Sequence, residues 1–175
     1  VGARCRILHG YGDCPTTPRV RGKSIRVQAD AGIHDVEQNF NLLRLFDSDL
    51  QVPSVVTFSG GMACKCAAEE RLAVAGLSGQ DLLIGMHVTS FPDMAYKRWP
   101  ADRFAALMTR LHERQKASFV LFGSASDADD VNRVATAAQA PVTCITDVSV
   151  SVAAEMIRKC HGFVSNDSGL MHLAS

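Results

Sequence analysis

Two kinds of apolar pattern alternate along the chain from about residue 67 onward. Short runs such as 118–122 are almost wholly apolar, which is typical of buried strands, whereas the stretches between them repeat apolar residues every three or four positions, which predicts amphipathic helices. The predicted strands are Asp81–Val88, Ser118–Phe122, Val142–Ile145 and Gly162–Ser165. The predicted helices are Ala67–Ala75, Pro100–Gln115, Asp127–Ala138, Ser151–Cys160 and one that begins at Ser168. Apolar strands that alternate with helices predict an α/β fold, a Rossmann-like parallel sheet with helices on both faces.

The first part of the chain has a different pattern. Residues 1–32 are rich in Gly, Pro, Arg and Thr and contain one predicted strand, Arg4–Leu8, followed by a loop. A helical repeat then ends before Pro53, and a further strand is predicted at Ser54–Phe58. The apolar residues of that repeat are Ile33, Val36, Phe40 and Leu43. We therefore predict two parts, 1–52 and 53–175.

The second part is expected to be incomplete. It holds about four strands from residue 81 onward, and open sheets commonly have about four to six. The apolar helical pattern that begins at Ser168 has no terminator before Ser175, and the first residue is not Met. We therefore expect the chain to be a piece of a longer protein whose sheet is truncated at its carboxyl-terminal side.

Composition narrows the functional classes. The 18 Lys and Arg residues balance 18 Asp and Glu residues, and this neutrality argues against a dedicated binder of nucleic acid or anionic membranes. No apolar run approaches the roughly 18 residues that span a bilayer. Six cysteines are too sparse for a disulfide scaffold at this length, so we predict free thiols in a reducing cytoplasm.

The sequence predicts no metal or cofactor. Cys64 and Cys66 form a CxC pair without a second Cys or His pair at ligand spacing, and His34 with Glu37 is too small a set to hold a metal ion. No GxSxG, Walker A or GxGxxG motif occurs.

Candidate chemistry lies at the predicted strand ends, because ligands of open parallel sheets bind in the crevice at the carboxyl ends of the strands. Three polar corners occupy such positions: HVTSFPDMAYKRWP at 87–100, GSASD at 123–127 and SNDSG at 165–169. We expect these corners to converge, so that Lys97 and the start of the last helix together hold a sugar-linked diphosphate.

The corner at 165–169 combines an acid, a hydroxyl and a glycine where a strand passes into a helix. Free N–H groups at a helix start attract anions, Ser168 offers a hydroxyl, and Gly169 lets a phosphate approach the backbone. Asp167 would repel a phosphate, so we expect it to bind sugar hydroxyls or to pair with a cation, with His172 about one turn further along. The alternative is that Asp167 or Ser168 only caps the helix and His172 is a surface residue.

The corner at 87–100 offers hydroxyls and a cation. Thr89 and Ser90 suit phosphate oxygens, and Lys97 is placed to neutralise a diphosphate or to pair with Asp167. The alternative is that Lys97 and Arg98 are simply solvated.

Two further features have structural interpretations. Trp99 is predicted to be a packing anchor at the start of a helix. In the corner at 123–127, Ser126 is predicted to cap the next helix and Asp127 to lie in its first turn, and cap chemistry explains this stretch. The Asp127 carboxylate could also hold a ribose diol.

Three segments follow one another at a spacing typical of one family: YKRWPADRFAALMTRL, VLFGSASD and FVSNDSGLMHLA, with GIHDVEQNFNLLRLF upstream. Together they resemble the ADP-heptose:lipopolysaccharide heptosyltransferases, glycosyltransferase family 9. The resemblance covers residues 1–175 and is strongest over 85–175. It implies the GT-B arrangement of two facing Rossmann-like domains, with 1–52 as the end of the first domain and the linker. Residues 53–175 would be most of the second, nucleotide-sugar-binding domain.

The resemblance also implies a reaction, the inverting transfer of heptose from ADP-heptose to the lipopolysaccharide inner core, without a metal or cofactor. The general base would lie outside this chain, which alone is expected to be inactive. The implied catalytic residues are Lys97 and Asp167. The implied donor-binding residues are Thr89, Ser90, Lys97, Asp127, Asp167, Ser168, Gly169 and His172.

Two alternatives to this function stay open. One is a non-catalytic nucleotide-binding GT-B module, and the other is a GT-B transferase that uses a different nucleotide-sugar. The resemblance implies ADP-heptose and the lipopolysaccharide core as partners, and no nucleic acid. It further implies a cytoplasmic location at the inner face of the bacterial inner membrane, with peripheral contact through the remainder of the first domain.

Overall fold

A computed structural model of the chain describes residues 32–53, 57–79, 81–90 and 96–175, together with the backbone of strands at 6–10 and 24–28. Its contacts divide the chain into two compact units, Val1–Val56 and Thr57–Ser175. That these units belong to two domains of a larger enzyme stays a prediction.

The first unit contains two parallel strands and one helix. Strand β1 (Arg6–Gly10) pairs with β2 (Ser24–Gln28), and helix α1 spans Asp35–Leu43. The helix was expected from the repeat that starts at Ile33, whereas β1 lies two residues beyond its predicted position. Strand β2 was missed, because its alternation of Ile25 and Val27 is short and lies within a stretch rich in Gly, Pro and Arg.

The second unit is a four-stranded parallel sheet with helices. Its strands are β3 (Leu83–His87), β4 (Ser118–Phe122), β5 (Val142–Ile145) and β6 (Gly162–Ser165). Its helices are α2 (Gly61–Val74), α3 (Ala101–Gln115), α4 (Ala128–Ala137), α5 (Val150–Ile157) and α6 (Gly169–Ala174). The predicted parallel α/β fold is therefore confirmed.

Strand β4 shows why the sheet is covered on both faces. All five of its residues are buried, and alternate residues point to opposite faces of a strand. Val120 and Phe122 pack in one core cluster with residues of α2 and α5, such as Leu72 and Met156. Phe119 and Leu121 belong to a second cluster that includes side chains of α3 and α4. Burying each such side chain stabilises the fold by about 1.5–3 kcal/mol.

Some predicted boundaries differ from the structure. Helix α2 begins at Gly61, six residues before the predicted start. Its first turns were missed because the apolar residues of this helix are not concentrated on one face, and only Ala68 and Leu72 are buried. Helix α5 ends at Ile157, earlier than predicted. Of the strand predicted at Ser54–Phe58, residues 54–56 lie outside the described part, and 57–58 are not in a strand.

The strand order places a crevice in the second unit. Along the chain, β4 forms next to β3, and β5 forms next to β4 on the side away from β3. The chain then crosses to the other side of β3, where it forms β6. The order β5-β4-β3-β6 therefore reverses between β3 and β6. Loops that leave the carboxyl ends of strands at such a switch point diverge and leave room for a ligand. Among the helices of the described segments, none is long and apolar enough to cross a membrane.

Candidate functional site

An open cleft of about 800 Å³ lies at the carboxyl ends of the strands in the second unit. Residues from all three predicted polar corners line it, so the predicted convergence is observed. The polar residues of the lining are His87, Thr89, Ser90, Arg98, Ser124, Ser126, Asp127, Asp130 and Ser168. Its apolar side is formed by Phe122, Ile145, Val148, Val150, Ala153, Leu170 and Leu173, and glycines 123 and 169 complete it.

Asn166 joins the first and third corners. Its side-chain amide donates to the Val88 carbonyl at 2.7 Å, and its Oδ1 accepts the Trp99 N–H at 2.8 Å. Its backbone N–H donates to the His87 carbonyl at 3.2 Å. Asn166 is buried, and these bonds hold the ends of β3 and β6 beside the start of α3. Asn166 was not among the predicted site residues, although its position in the polar SNDSG corner was a signal for it.

Lys97 and Asp167 meet at the junction of these corners. Lys97 Nζ lies 3.1 Å from Asp167 Oδ2, as predicted for a lysine that pairs with this acid. The hydrogen bond to Asp167 is the main cause of a raised Lys97 pKa, so Lys97 is a cation at neutral pH. Both side chains are about half exposed and stand next to the cleft lining without being part of it.

The second corner is capped by a different serine from the one predicted. A short 3-10 turn at Ala125–Asp127 precedes α4, and its N-cap is Ser124, not Ser126. Ser124 N–H donates to Asp127 Oδ2 at 2.8 Å, and the Ser124 hydroxyl also contacts that oxygen. The sequence suggested Ser126 because the turn that precedes the α-helix shifts the cap toward the strand.

Asp127 is an ionised carboxylate on the wall of the cleft. Burial disfavours its charge, but hydrogen bonds from Ser124 and from the Thr89 hydroxyl favour it, and the net result is a lowered pKa. A carboxylate with this environment accepts hydrogen bonds and is suited to ligand hydroxyls.

Ser168 occupies the N-cap position of α6 but makes no cap hydrogen bond with its side chain. Its Oγ lies 3.0 Å from His87 Nδ1 and 3.0 Å from Ser165 Oγ. Ser168 is buried at the edge of the cleft. The Ser168 side chain therefore contacts two other polar side chains instead of capping α6.

Gly169 and His172 occupy different surroundings on α6. A Cβ built on Gly169 would meet nothing within 4 Å, so the protein's own packing does not demand a glycine there, and the open space leaves room for a ligand. His172 is exposed and does not line the cleft. Five of the eight predicted site residues therefore line the cleft, the Lys97–Asp167 pair stands beside it, and His172 lies outside the lining.

Arg98 is tied into the first corner and is not simply solvated. It donates to the Ser90 hydroxyl at 3.1 Å and to the Ser90 carbonyl at 2.6 Å, and it also pairs with Asp130 at 3.4 Å. These contacts fix the loop that carries Ser90. The neighbouring Trp99 packs edge-to-face on Phe104 with ring centroids 4.8 Å apart, in line with the predicted packing role.

His87 is the other site residue that the sequence did not reveal. It is the last residue of β3, is half-buried and faces both Ser168 and Thr89, whose Oγ1 lies 3.2 Å from its Nε2. Burial lowers its pKa, although the nearby Asp127 charge favours the imidazolium. Spacing along the chain gave no sign of these contacts, because Ser168 lies 81 residues further on.

The residues that were considered and excluded as metal ligands make other contacts or are free thiols. No group of three or more His, Cys, Asp or Glu residues that could hold a metal ion occurs in the described segments. His34 caps α1 by accepting the Val36 N–H, and Glu37 pairs with Arg44. The described cysteines 64, 66, 144 and 160 are free thiols, while Cys5 and Cys14 lie outside the described residues.

The cleft combines features that suit a nucleotide-sugar. A lysine cation stands beside it, hydroxyls and a carboxylate line one side, and apolar side chains of β5 and α5 line the other. A cation can neutralise a diphosphate, a carboxylate can accept from sugar hydroxyls, and an apolar wall can cover a planar base.

Sequence comparison identifies related proteins over most of the chain. The family described as Glycosyltransferase family 9 (heptosyltransferase) matches residues 8–175. Lipooligosaccharide heptosyltransferase 2 from Haemophilus ducreyi (strain 35000HP / ATCC 700724) is 38% identical over 85 residues, which are 45% of this chain and 24% of that protein.

Comparison of folds gives the same family. A family 9 glycosyl transferase from Veillonella parvula DSM 2008 superimposes with a TM-score of 0.75 at 25% identity, over 89% of this chain and 44% of that one. E. coli ADP-heptose lps heptosyltransferase II has a TM-score of 0.59 at 28% identity, over 73% and 39%. E. coli heptosyltransferase WaaC with ADP, at 19% identity and a TM-score of 0.55 over 85% and 44%, shows likeness of fold.

The chain therefore spans less than half the length of each of these relatives. Its parallel sheet and flanking helices match the fold of family 9 glycosyltransferases, which are GT-B-like. Because the family match extends over nearly all of its residues, this chain belongs to glycosyltransferase family 9, the heptosyltransferase family.

Proposed function

We propose that the cleft at the ends of β3 and β6 binds ADP-heptose, and that the complete protein transfers heptose with inversion to a sugar of the lipopolysaccharide inner core. The observation that carries this proposal is the Lys97–Asp167 ion pair, with 3.1 Å between Nζ and Oδ2, beside a cleft at the switch point of a parallel sheet. The names of two relatives, an ADP-heptose lps heptosyltransferase and a lipooligosaccharide heptosyltransferase, support this donor and this class of acceptor.

In this proposal the chain acts mainly on the leaving group. A base outside the chain removes the proton of the acceptor hydroxyl, whose oxygen attacks the anomeric carbon of heptose while the bond to ADP breaks. Negative charge then grows on the diphosphate, and the Lys97 cation stabilises it in the transition state. Asp167 holds Lys97 in place and can accept a hydrogen bond from the sugar.

The remaining predicted residues would bind the donor. Thr89 and Ser90 would contact the diphosphate, Asp127 would accept from ribose hydroxyls, and the corner at 165–169 would lie against the sugar-linked phosphate. His172, which is exposed and lies outside the cleft lining, would contact the donor from one side. The acceptor site, and peripheral contact with the inner face of the membrane, would belong to the remainder of the protein.

Donor preference tests this proposal. Calorimetric titration of the complete protein with ADP-heptose and with UDP-N-acetylglucosamine should show tighter binding of ADP-heptose, because the family resemblance specifies an adenine nucleotide. Equal binding, or a preference for uridine, would favour a transferase with another nucleotide-sugar.

Turnover separates the other alternative. ADP release in the presence of heptose-deficient lipopolysaccharide core should accompany donor binding. Tight ADP-heptose binding without ADP release by the complete protein would instead indicate a non-catalytic nucleotide-binding module.

A further inference from the structure

Arg98 joins the loop after β3 to the start of α4, which follows β4. Its Nε donates to Ser90 Oγ at 3.1 Å and its Nη2 donates to the Ser90 carbonyl at 2.6 Å, while its Nη1 lies 3.4 Å from Asp130 Oδ2. Arg98, Ser90 and Asp130 all line the cleft. A ligand that enters the cleft therefore meets this bridge.

The two ends of the Arg98 guanidinium are held unequally. The contacts of Nε and Nη2 with the buried Ser90 fix one edge. The Nη1 contact with Asp130 is longer than the distance of about 2.7–2.9 Å that is typical of a strong charged hydrogen bond. The other Asp130 oxygen accepts from Arg133 at 2.7 Å. Asp130 therefore keeps a closer partner when Nη1 turns away from it.

The charges that line the cleft make this arginine important for an anionic ligand. Among the described residues, Arg98 is the only Lys or Arg side chain of the lining, which also contains the carboxylates Asp127 and Asp130. A diphosphate carries several negative charges, so the two carboxylates repel it and a cation attracts it. The planar set of N–H donors on a guanidinium also suits phosphate oxygens.

The preceding residue supplies a cation on the other side of β3. Lys97 pairs with Asp167 in the loop after β6, whereas Arg98 pairs with Asp130 in the helix after β4. In the sheet, β3 lies between β4 and β6. Two consecutive cations therefore reach to opposite sides of the end of β3, and a diphosphate placed at this end would lie between them.

We propose that Arg98 is a second donor-binding cation, whose Nη1 exchanges Asp130 for a phosphate oxygen when a nucleoside diphosphate enters the cleft. This inference rests on the proposed function, in which Lys97 stabilises the same diphosphate. Ser90 keeps its edge of the guanidinium in place, so only the Nη1 contact is exchanged. Asp130 thus competes with the ligand for Arg98.

Two substitutions separate the charge of Arg98 from its contacts with Ser90. Arg98→Gln should weaken ADP binding by the complete protein about 10- to 100-fold in a calorimetric titration, because a charged hydrogen bond to phosphate is lost. Arg98→Lys keeps the charge but not the paired contacts with Ser90, and we expect it to lose less affinity than Arg98→Gln. Equal losses in the two variants would mean that Arg98 only fixes the Ser90 loop, and the proposal would then be wrong.

Substitution of Asp130 should have the opposite effect on affinity. Because Asp130 competes with the ligand, Asp130→Asn should release Nη1 and tighten ADP binding about two- to fivefold, the scale of an exposed ion pair. A bridge that only supports the loop would instead be weakened by this change, and ADP binding with it. Weaker ADP binding by folded Asp130→Asn would therefore contradict the proposal.

The chain offers a control of equal charge change for each variant. Arg133 also pairs with Asp130, and Asp129 lies beside it in the first turn of α4, but both are exposed and lie outside the cleft lining. Arg133→Gln and Asp129→Asn should each change ADP affinity by less than about twofold, because water and salt screen exposed charges. Circular dichroism checks the folding of all variants. Equal losses of affinity in Arg98→Gln and Arg133→Gln would overturn the proposal.

The proposed function and the role of Arg98 can fail separately. If the wild-type protein prefers UDP to ADP, the proposed donor is contradicted, and the same variants titrated with UDP still decide the role of Arg98. If wild type and Arg98→Gln bind ADP equally well, the role of Arg98 is contradicted and the proposed function stands. A wild-type protein that binds neither nucleotide would contradict both.

Discussion

At the scale of single residues, the Lys97–Asp167 pair is better explained by function than by stability. Both side chains are more than a third exposed, and exposed ion pairs stabilise proteins by less than about 1 kcal/mol. The pair nevertheless fixes a cation at the junction of two loops that are held together by the buried Asn166. A charge held beside an open cleft can act on a ligand without reorganising first.

Removing either partner should therefore affect the donor and not the fold. Lys97→Ala and Asp167→Ala are each expected to weaken donor binding or turnover by about 1–3 kcal/mol, the scale of a charged hydrogen bond, with little change in Tm. Calorimetry and the ADP-release assay measure the effects.

The chain offers a matched control for this ion pair. Lys159 and Glu69 form a pair at 2.8 Å with similar exposure, and both lie outside the cleft. Lys159→Ala should leave donor binding and turnover as in wild type. Unchanged kinetics in both Lys97→Ala and Asp167→Ala would leave only a structural role for the pair.

At the scale of elements, the switch point depends on how closely β3 and β6 approach. Gly85 in the middle of β3 faces Phe163 of the neighbouring strand, and a Cβ on Gly85 would lie 2.6 Å from Phe163 Cδ2 and 3.1 Å from Cys160 Sγ. A glycine is required there by packing between strands and not by backbone dihedrals. The corners that form the cleft extend from the ends of these two strands.

Gly85→Ala should therefore destabilise the protein by about 1–3 kcal/mol, measured by urea unfolding, because the added methyl overpacks the sheet. Gly162→Ala on β6 is the control, since its Cβ would meet only the flexible end of Ile84 at 3.4 Å. The double variant Gly85→Ala/Phe163→Leu should recover part of the loss. Equal stability of Gly85→Ala and wild type would show that the sheet adjusts without cost.

At the scale of the whole molecule, stability at different pH values sums over all groups whose pKa changes on folding. Burial lowers the His87 pKa below 6.5 despite the nearby Asp127 charge, so the unfolded chain takes up this proton first as the pH falls. Burial raises the Cys160 pKa from 9.0 to about 11, so the unfolded chain loses this proton first as the pH rises. The buried His87 therefore costs stability only below about pH 6.5, and the buried Cys160 costs stability only above about pH 9.

The free energy of unfolding should consequently be nearly flat between about pH 6.5 and 9 and should decrease on both sides. A further decrease is expected as the pH falls below about 4, because the unfolded chain takes up protons on Asp127 and Glu69 while the fold, which lowers both pKa values, keeps them ionised. His87→Gln should reduce the decrease just below pH 6.5, and Cys160→Ala should reduce the one above pH 9. A free energy of unfolding that rises as the pH falls through 6.5 would contradict the lowered pKa of His87.

The sequence by itself determined the kinds of element and their order in the second unit. Apolar runs of strand length and three-to-four repeats are local properties of the chain, so the strand Gly162–Ser165 was predicted with its observed bounds. The pairing of Lys97 with Asp167 was one of the two roles predicted for this lysine, because both residues follow strands whose carboxyl ends share one edge of a parallel sheet. Strand β2, in contrast, had too short a pattern to be seen.

Only the tertiary structure decided which strands are neighbours and which side chains meet at their ends. The order β5-β4-β3-β6 results from how the helices pack on both faces of the sheet, and no local pattern encodes it. The contacts of His87 with Ser168 and of Asn166 with Val88 join residues 81 and 78 positions apart. Such contacts exist only once β3 and β6 lie side by side, because long-range packing, and not spacing along the chain, brings their polar ends together.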